Sequence, residues 1–242
     1  MTATVIARLL GGLGLFLYGM TQTGSGLQKA AGDKLKGILK ALTSKTWIGV
    51  LVGALVTAII QSSAATTVMS VSFVNAGLMT LTQAIGVIMG ANIGTTANAQ
   101  LISFNISSLA FPAIGLGAII FAFSKKRNHK YFGQIILGFG MIFLGMIVMT
   151  ETMEPLSSNP SIIKFVGMIG NNPLLGVLTG IFLTVIIQSS SATIGILIAA
   201  ASQGLITFDV ALPIIVGNNI GTCVTAVLAS IGASLSARRT AL

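Results

Sequence analysis

Shifting the chain by 127 residues aligns residues 49–99 with 176–226 without a gap, and roughly 23 of those 51 paired positions are identical. The matches concentrate in two strings. Thr57-Ala58-Ile59-Ile60-Gln61-Ser62-Ser63-Ala64-Ala65-Thr66 pairs with Thr184-Val185-Ile186-Ile187-Gln188-Ser189-Ser190-Ser191-Ala192-Thr193. Gly90-Ala91-Asn92-Ile93-Gly94-Thr95 pairs with Gly217-Asn218-Asn219-Ile220-Gly221-Thr222. A third string, Leu10 to Met20, returns as Ile136 to Met146. Self-similarity on this scale means two copies of one supersecondary unit, so the architecture of the first half predicts that of the second.

The solvent of those units follows from composition. Only 7% of residues are charged and 54% are hydrophobic, with a mean hydropathy of +0.97. A soluble domain is about one-quarter charged. Long apolar stretches between short basic runs are the mark of a multi-pass membrane protein, expected here in the cell membrane. The net charge of +9 arises from bases that cluster beside apolar segments without interleaved aromatics. They read as topology signals rather than a nucleic-acid surface. The start, with Arg8 ahead of the apolar run Leu9 to Met20, resembles a secretory signal. Its recurrence in mid-chain reads instead as a retained transmembrane helix. Cys223 is the only cysteine, and His129 sits in the basic run Lys125-Lys126-Arg127-Asn128-His129-Lys130.

Each copy reads in one order. A spanning helix (5–27 and 131–149) is followed by an amphipathic stretch (28–45 and 155–170). Next come an apolar segment interrupted by Gln-Ser-Ser (47–76 and 173–203) and one interrupted by Asn-Ile-Gly-Thr (81–104 and 208–232). The first copy closes with a helix over 107–123. The expected units are residues 1–124, a basic cytoplasmic linker 125–130, and residues 131–242, in which the last helix is missing. The halves flanking Gln61-Ser62-Ser63 have about 13 apolar residues each, near 20 Å, whereas a helical crossing takes about 20 residues. If that segment is a re-entrant hairpin, Lys29, Lys34, Lys36, Lys40 and Lys45 fall on the same side as Lys125, Lys126, Arg127 and Lys130. A single crossing would place them on opposite sides, which the positive-inside rule disfavours. Three net crossings then invert the second repeat, as in secondary transporters. The fold class is an all-α integral membrane protein of two inverted-topology repeats, each with a re-entrant helical hairpin and a broken transmembrane helix. The N-terminus is expected outside, the Lys/Arg loops in the cytoplasm, and Trp47 and Tyr131 at the interfaces.

A helix broken at mid-membrane is tolerated where its freed backbone groups line a polar cavity or are buried in protein. Ser is a favoured N-cap, and Ser62-Ser63 and Ser189-Ser190 stand where second half-helices begin. Free N–H groups at a positive dipole end suit an anion. The carbonyls ending the first half-helices, at Ile59-Ile60 and Ile186-Ile187, suit small hard cations. No Arg, Lys or His lies in the expected membrane core, so a buried anion needs helix dipoles and co-bound cations to neutralise it. That is the logic of a symporter. Simpler roles compete at each position. Ser pairs also pack or back-bond within helices. Gln61 and Gln188 are ligands or helix–helix glue, Asp209 is an N-cap or an ion ligand, and the Gly12/Gly14/Gly19 and Gly138/Gly140/Gly145 stripes read as packing faces.

The paired Gln-Ser-Ser-[Ala/Ser]-Ala-Thr strings, Gly90-Ala91-Asn92-Ile93-Gly94-Thr95-Thr96, and the opening Gly19-Met20…Gly26-Leu27-Gln28…Ala31-Gly32-Asp33-Lys34-Leu35 resemble the bacterial type II sodium–phosphate cotransporters. The resemblance implies sodium-driven transport of inorganic phosphate. It places phosphate at Gln61, Ser62, Ser63, Gln188, Ser189 and Ser190. It places sodium, the only metal expected, beside them, with Ser191, Thr66, Thr193, Asn92, Thr95, Thr96, Asn219 and Thr222 lining the site. Relatives of this kind continue past the Ala237-Arg238-Arg239 region into further helices and a PhoU-like domain. The chain is therefore expected to be a minimal, split or truncated version, with a PhoU-like protein or a second copy as partner.

Two other readings fit the same pattern. One is a sodium-coupled carrier of another small anion, such as sulfate, arsenate or a dicarboxylate. The other is a non-transporting membrane subunit that partners a PhoU-like regulator. An enzyme is not expected: there is no carboxylate pair, no His or Cys arrangement and no nucleotide loop. No cofactor is expected beyond Na+ as coupling ion.

Overall fold

A computed structural model describes residues 2–31, 46–104 and 107–241. All regular structure among them is helical. Helix α1 (Thr2–Ala31) and α6 (Arg127–Ser157) have 30 and 31 residues. At 1.5 Å per residue each is about 45 Å long, ample for a hydrocarbon core of about 30 Å. Helix α10 (Phe208–Ala229) is the third that is long and apolar enough to cross alone. Between them lie α2 (Thr46–Ile60), α3 (Ser63–Asn75), α4 (Leu81–Ser103), a short 3-10 turn (Ser107–Leu109) and α5 (Ala110–Phe123). The second half adds α7 (Pro160–Asn171), α8 (Pro173–Ile187), α9 (Ser190–Ser202) and α11 (Leu235–Ala241). Two bent apolar pairs, α4 with α5 and α7 with α8, raise the possible spans to five.

Both Gln-Ser-Ser segments fold back on themselves. Thr57 Oγ1 on α2 donates to Thr66 Oγ1 on α3 at 2.9 Å. Residues nine apart in one continuous helix are about 13.5 Å apart along its axis. The bond therefore needs a sharp reversal between them. Thr184 and Thr193 repeat it at 3.2 Å. The hairpin wins over the single crossing in both halves.

The Asn-Ile-Gly-Thr segments do not interrupt a helix: α4 and α10 run unbroken through them. Their glycines set packing distance instead. A Cβ on Gly53 or Gly90 would collide with the carbonyl of Val87 or Val50, and one on Gly94 would stand 2.5 Å from the Ala54 carbonyl. In the second half Gly180 meets the Ile214 carbonyl, Gly217 the Val177 carbonyl, and Gly221 the Thr184 side chain. The same notches clamp α2 against α4 and α8 against α10. Between helices already surrounded by apolar atoms, such close approach is what holds the pair together.

Helices α1 and α6 are joined in the same way. A Cβ at Gly19 would sit 2.6 Å from the Gly138 carbonyl, and one at Gly145 would sit 2.5 Å from the Phe16 N–H nitrogen. Gly14 has no neighbour there, and Gly140 packs on Ala110 and Ile114 of α5, so the two expected stripes share only part of one face.

The two halves are interlocked rather than side by side. Phe16 of α1 is fully buried in a core with Ile142, Met149, Ala192 and Ile214. A second core joins Val56, Val71 and Val87 to Ala226 and Ala237 from the end of the chain. Each hairpin thus packs against elements of the opposite repeat.

Within the basic run, Arg127–Lys130 forms the first turn of α6, with Lys126 as its N-cap. Of the expected amphipathic stretch 28–45, residues 28–31 end α1; the remainder, including Lys34, Lys36, Lys40 and Lys45, lies outside the described residues. Its counterpart is the amphipathic α7, which meets α8 at 115°.

Candidate functional site

The two turns have nearly the same backbone. Gln61 and Gln188 take left-handed φ values of 59° and 53°. Each closes the preceding helix with an N–H bond of 2.7 Å, to Thr57 O and Thr184 O respectively. Among the described residues they are the only ones other than glycine with positive φ. That conformation costs an L-residue about 1–2 kcal/mol, and glycine is the usual occupant at a helix end. A long amide side chain retained there in both copies is an observed strain that points to a role for the side chain.

The next residue caps the following helix. Ser62 (φ −146°, ψ 103°) accepts the Ala65 N–H on Oγ at 3.1 Å, and Ser189 (φ −144°, ψ 107°) accepts the Ala192 N–H at 3.3 Å. The Ser62 carbonyl accepts the Thr66 N–H and the Ser189 carbonyl the Thr193 N–H, both at 3.2 Å. This leaves the first two N–H groups of each second half-helix, at Ser63 and Ala64 and at Ser190 and Ser191, without an intrahelical partner.

Both sets open into one cavity of about 70 Å³ between the tips. A water needs about 10–15 Å³ on such a measure, so the space suits a small polyatomic ion. Tip one contributes Gln61 to Ala64 and tip two Gln188 to Ser191. The remaining wall comes only from the second repeat: Thr184 of α8, and Gly221, Thr222 and Thr225 of α10. No charged side chain lines it. Among the described residues no group of three His, Cys, Asp or Glu side chains comes together, so neutral oxygens are the donors on offer to a cation. A second cavity of about 400 Å³ adjoins tip one. It runs beside Thr21, Gly24, Ser25 and Gln28 of α1 and shares Gln61, Ser62, Ser189 and Ser191 with the first. Gly24 allows this approach, since a Cβ there would stand 2.8 Å from the Ile60 carbonyl.

The structure brings Gln61, Ser62, Ser63, Gln188, Ser189, Ser190, Ser191 and Thr222 to one place. Thr66 and Thr193 are fully buried behind the tips and bond to Thr57 and Thr184. Asn92, Thr96 and Asn219 are exposed outside the cavity, and Thr95 donates to its own helix at Ala91 O. Sequence reasoning passed over Thr184 and Thr225. Thr184 was visible as the threonine four residues before Gln188, copied at Thr57. Thr225 follows Thr222 at the i, i+3 spacing of one helix face. Asn218 gave no signal, because its partner in the repeat is Ala91. It is fully buried and accepts the Thr184 hydroxyl at 2.6 Å, while its Nδ2 has no partner.

Comparison with known proteins agrees with the duplicated architecture. The family described as Na+/Pi-cotransporter matches the chain twice, over residues 15–151 and 144–240. YjbB of Salmonella typhimurium, a protein provisionally named for inorganic phosphate export, is 29% identical over 237 residues. That alignment covers 98% of this chain and 44% of YjbB, so the chain spans less than half of that relative's length. YqeW of Bacillus subtilis, an uncharacterized protein, is 30% identical over 226 residues, covering 93% of this chain and 73% of YqeW. Human sodium-dependent phosphate transport protein 2B is 47% identical over 55 residues, 23% of this chain and 8% of that protein. No solved structure matches the chain. With two family matches spanning both repeats and a relative aligned along most of its own length, the chain belongs to the Na+/Pi-cotransporter family.

Proposed function

We propose that the chain is a sodium-coupled symporter of inorganic phosphate, with the anion held between the two Gln-Ser-Ser tips. One observation carries the reading: two helix N-termini with free N–H groups converge on a single small cavity that has no charged side chain. Each N-terminus carries the equivalent of about +0.5 charge, so the pair offers about +1. A phosphate with more than one negative charge then needs cations to complete its neutralisation, which makes the coupling obligatory. Hydroxyl and carbonyl oxygens around Gln188, Ser189, Thr222 and Thr225 supply hard ligands for a sodium ion.

The names of the relatives fit this reading: one is named for inorganic phosphate export and another for sodium-dependent phosphate transport. A coupled carrier is reversible, so one site serves either direction according to the gradients. In this reading the two repeats are inverted and the hairpins enter from opposite faces. The N-terminus lies outside and the Lys29 and Lys125–Lys130 side faces the cytoplasm. A PhoU-like protein or a second copy is a partner of the same reading, although one chain already completes the described cavity.

Uptake of radiolabelled phosphate into proteoliposomes tests it. Uptake should require an inward sodium gradient. Ser62→Ala with Ser189→Ala should lower it by about a hundredfold or more, since each change removes both a cap and a donor to a charged ligand. Sodium-independent uptake, or full activity of the double variant, overturns the proposal. Efficient competition by sulfate would move the substrate to another anion. No phosphate binding or transport at all would favour the membrane-subunit reading.

A further inference from the structure

We propose that a cavity at the start of α6, which shares no lining residue with the two cavities at the Gln-Ser-Ser tips, seats the phosphate group of an anionic phospholipid. The cavity has a volume of about 480 Å³ and is lined by Lys29, Phe121, Arg127, Lys130, Tyr131 and Gln134. Three cations from two helices face it and, among the described residues, no carboxylate does. Glu151 and Glu154 stand at the far end of α6, more than about 30 Å along the helix, and Asp209 begins α10.

The backbone adds to the charge. Lys126, the N-cap of α6, makes no side-chain cap bond. The N–H groups of Arg127, Asn128 and His129 therefore remain as the positive end of a 31-residue helix. Lys130 Nζ is held 5.1 Å from the centre of the Phe121 ring, which fixes the ammonium at the cavity wall. At the base, Gln134 is buried and donates one amide hydrogen to Gln22 at 2.8 Å, which orients the side chain and leaves its second N–H as a further donor.

A free phosphate offers the same oxyanion, and the surroundings decide for the lipid. Two of the six lining residues are aromatic, Phe121 at the end of α5 and Tyr131 in the second turn of α6. Their rings give the cavity an apolar wall against which the start of an acyl chain can lie. Basic pockets between membrane helices are recurrent seats for anionic headgroups.

The test titrates the purified full chain in detergent with phosphatidylglycerol or phosphatidylcholine, reading bound lipid by native mass spectrometry. Phosphatidylglycerol should bind about thirtyfold tighter than phosphatidylcholine. Arg127→Gln with Lys130→Gln should remove most of that preference, at about fivefold per cation. Lys164→Gln, on the exposed face of α7, should not alter the ratio. A ratio rather than an absolute signal separates loss of the site from loss of folding. An unchanged preference in the double variant overturns the proposal. So does saturable binding of radiolabelled inorganic phosphate that depends on Arg127 and Lys130 and is not displaced by phosphatidylglycerol, because the occupant would then be the free ion.

Discussion

The two hairpins have almost the same tips and different surroundings. Their glutamines differ by 6° in φ and their capping serines by 2°, and each loop makes the same set of caps and closing bonds. Around tip two, Thr184 is tied to Asn218 and, with Gly221, Thr222 and Thr225, walls the small cavity. Around tip one, Ala91 stands where Asn218 would be, and Thr57, Gly94 and Thr95 stay outside that cavity. Tip one also borders the larger space along α1, which Ser189 and Ser191 of tip two share. The duplication has preserved the backbone of the turns, which leaves two helix N-termini with free N–H groups. Thr184, Gly221 and Thr222 have identical counterparts in the first copy, so what differs is which copy faces the cavity; only Asn218 and Thr225 are replaced there, by Ala91 and Asn98.

The strongest test of the shared half is steric. Gly90→Ala and Gly217→Ala each drive a Cβ into a facing carbonyl, so each should destabilise by about 1–3 kcal/mol or more, seen as a similar drop in the thermal midpoint in detergent. Gly14→Ala, with open space at its Cβ, should leave the midpoint unchanged. Unequal losses at the two clamps would break the equivalence of the hairpins. The divergent half predicts an asymmetry of intermediate size. Thr222→Val should weaken the sodium dependence of uptake by about tenfold, the scale of one lost hydrogen-bonding group, whereas Thr95→Val should have little effect. Equal effects would restore a symmetric site. The smallest change separates the two roles left open for the glutamines. Gln61→Gly or Gln188→Gly relieves a positive φ and should stabilise the protein by about 1 kcal/mol while lowering phosphate affinity. A fall in stability with transport intact would make the side chains helix glue.

Much of this was legible without coordinates because it depended on short-range chemistry. Half-helices too short to cross, a serine where a second helix must start, and a basic run that must stay on one side are local or additive properties. They led to the hairpins and to Ser62 and Ser189 as capping residues before any distance was known. The Asn-Ile-Gly-Thr strings were misread as helix breaks. Glycine in a membrane helix signals flexibility and close packing alike, and only the facing carbonyls of Ala54 and Ile181 distinguish the two. The same limit hid Thr225 and Asn218. What their hydroxyl and amide meet depends on the angle at which α10 crosses α8, and no spacing in the chain encodes that angle.

The sequence by itself determined the solvent, the duplication and the chemistry of the two tips, because composition, self-similarity and capping are properties of residues in order. Only the tertiary structure decided that both tips open into one cavity and that its remaining wall comes from the second repeat. It also decided that the basic start of α6 encloses a separate pocket with Lys29 and Phe121. Those outcomes depend on helix packing, where a few glycine contacts set the distance between elements far apart in the chain.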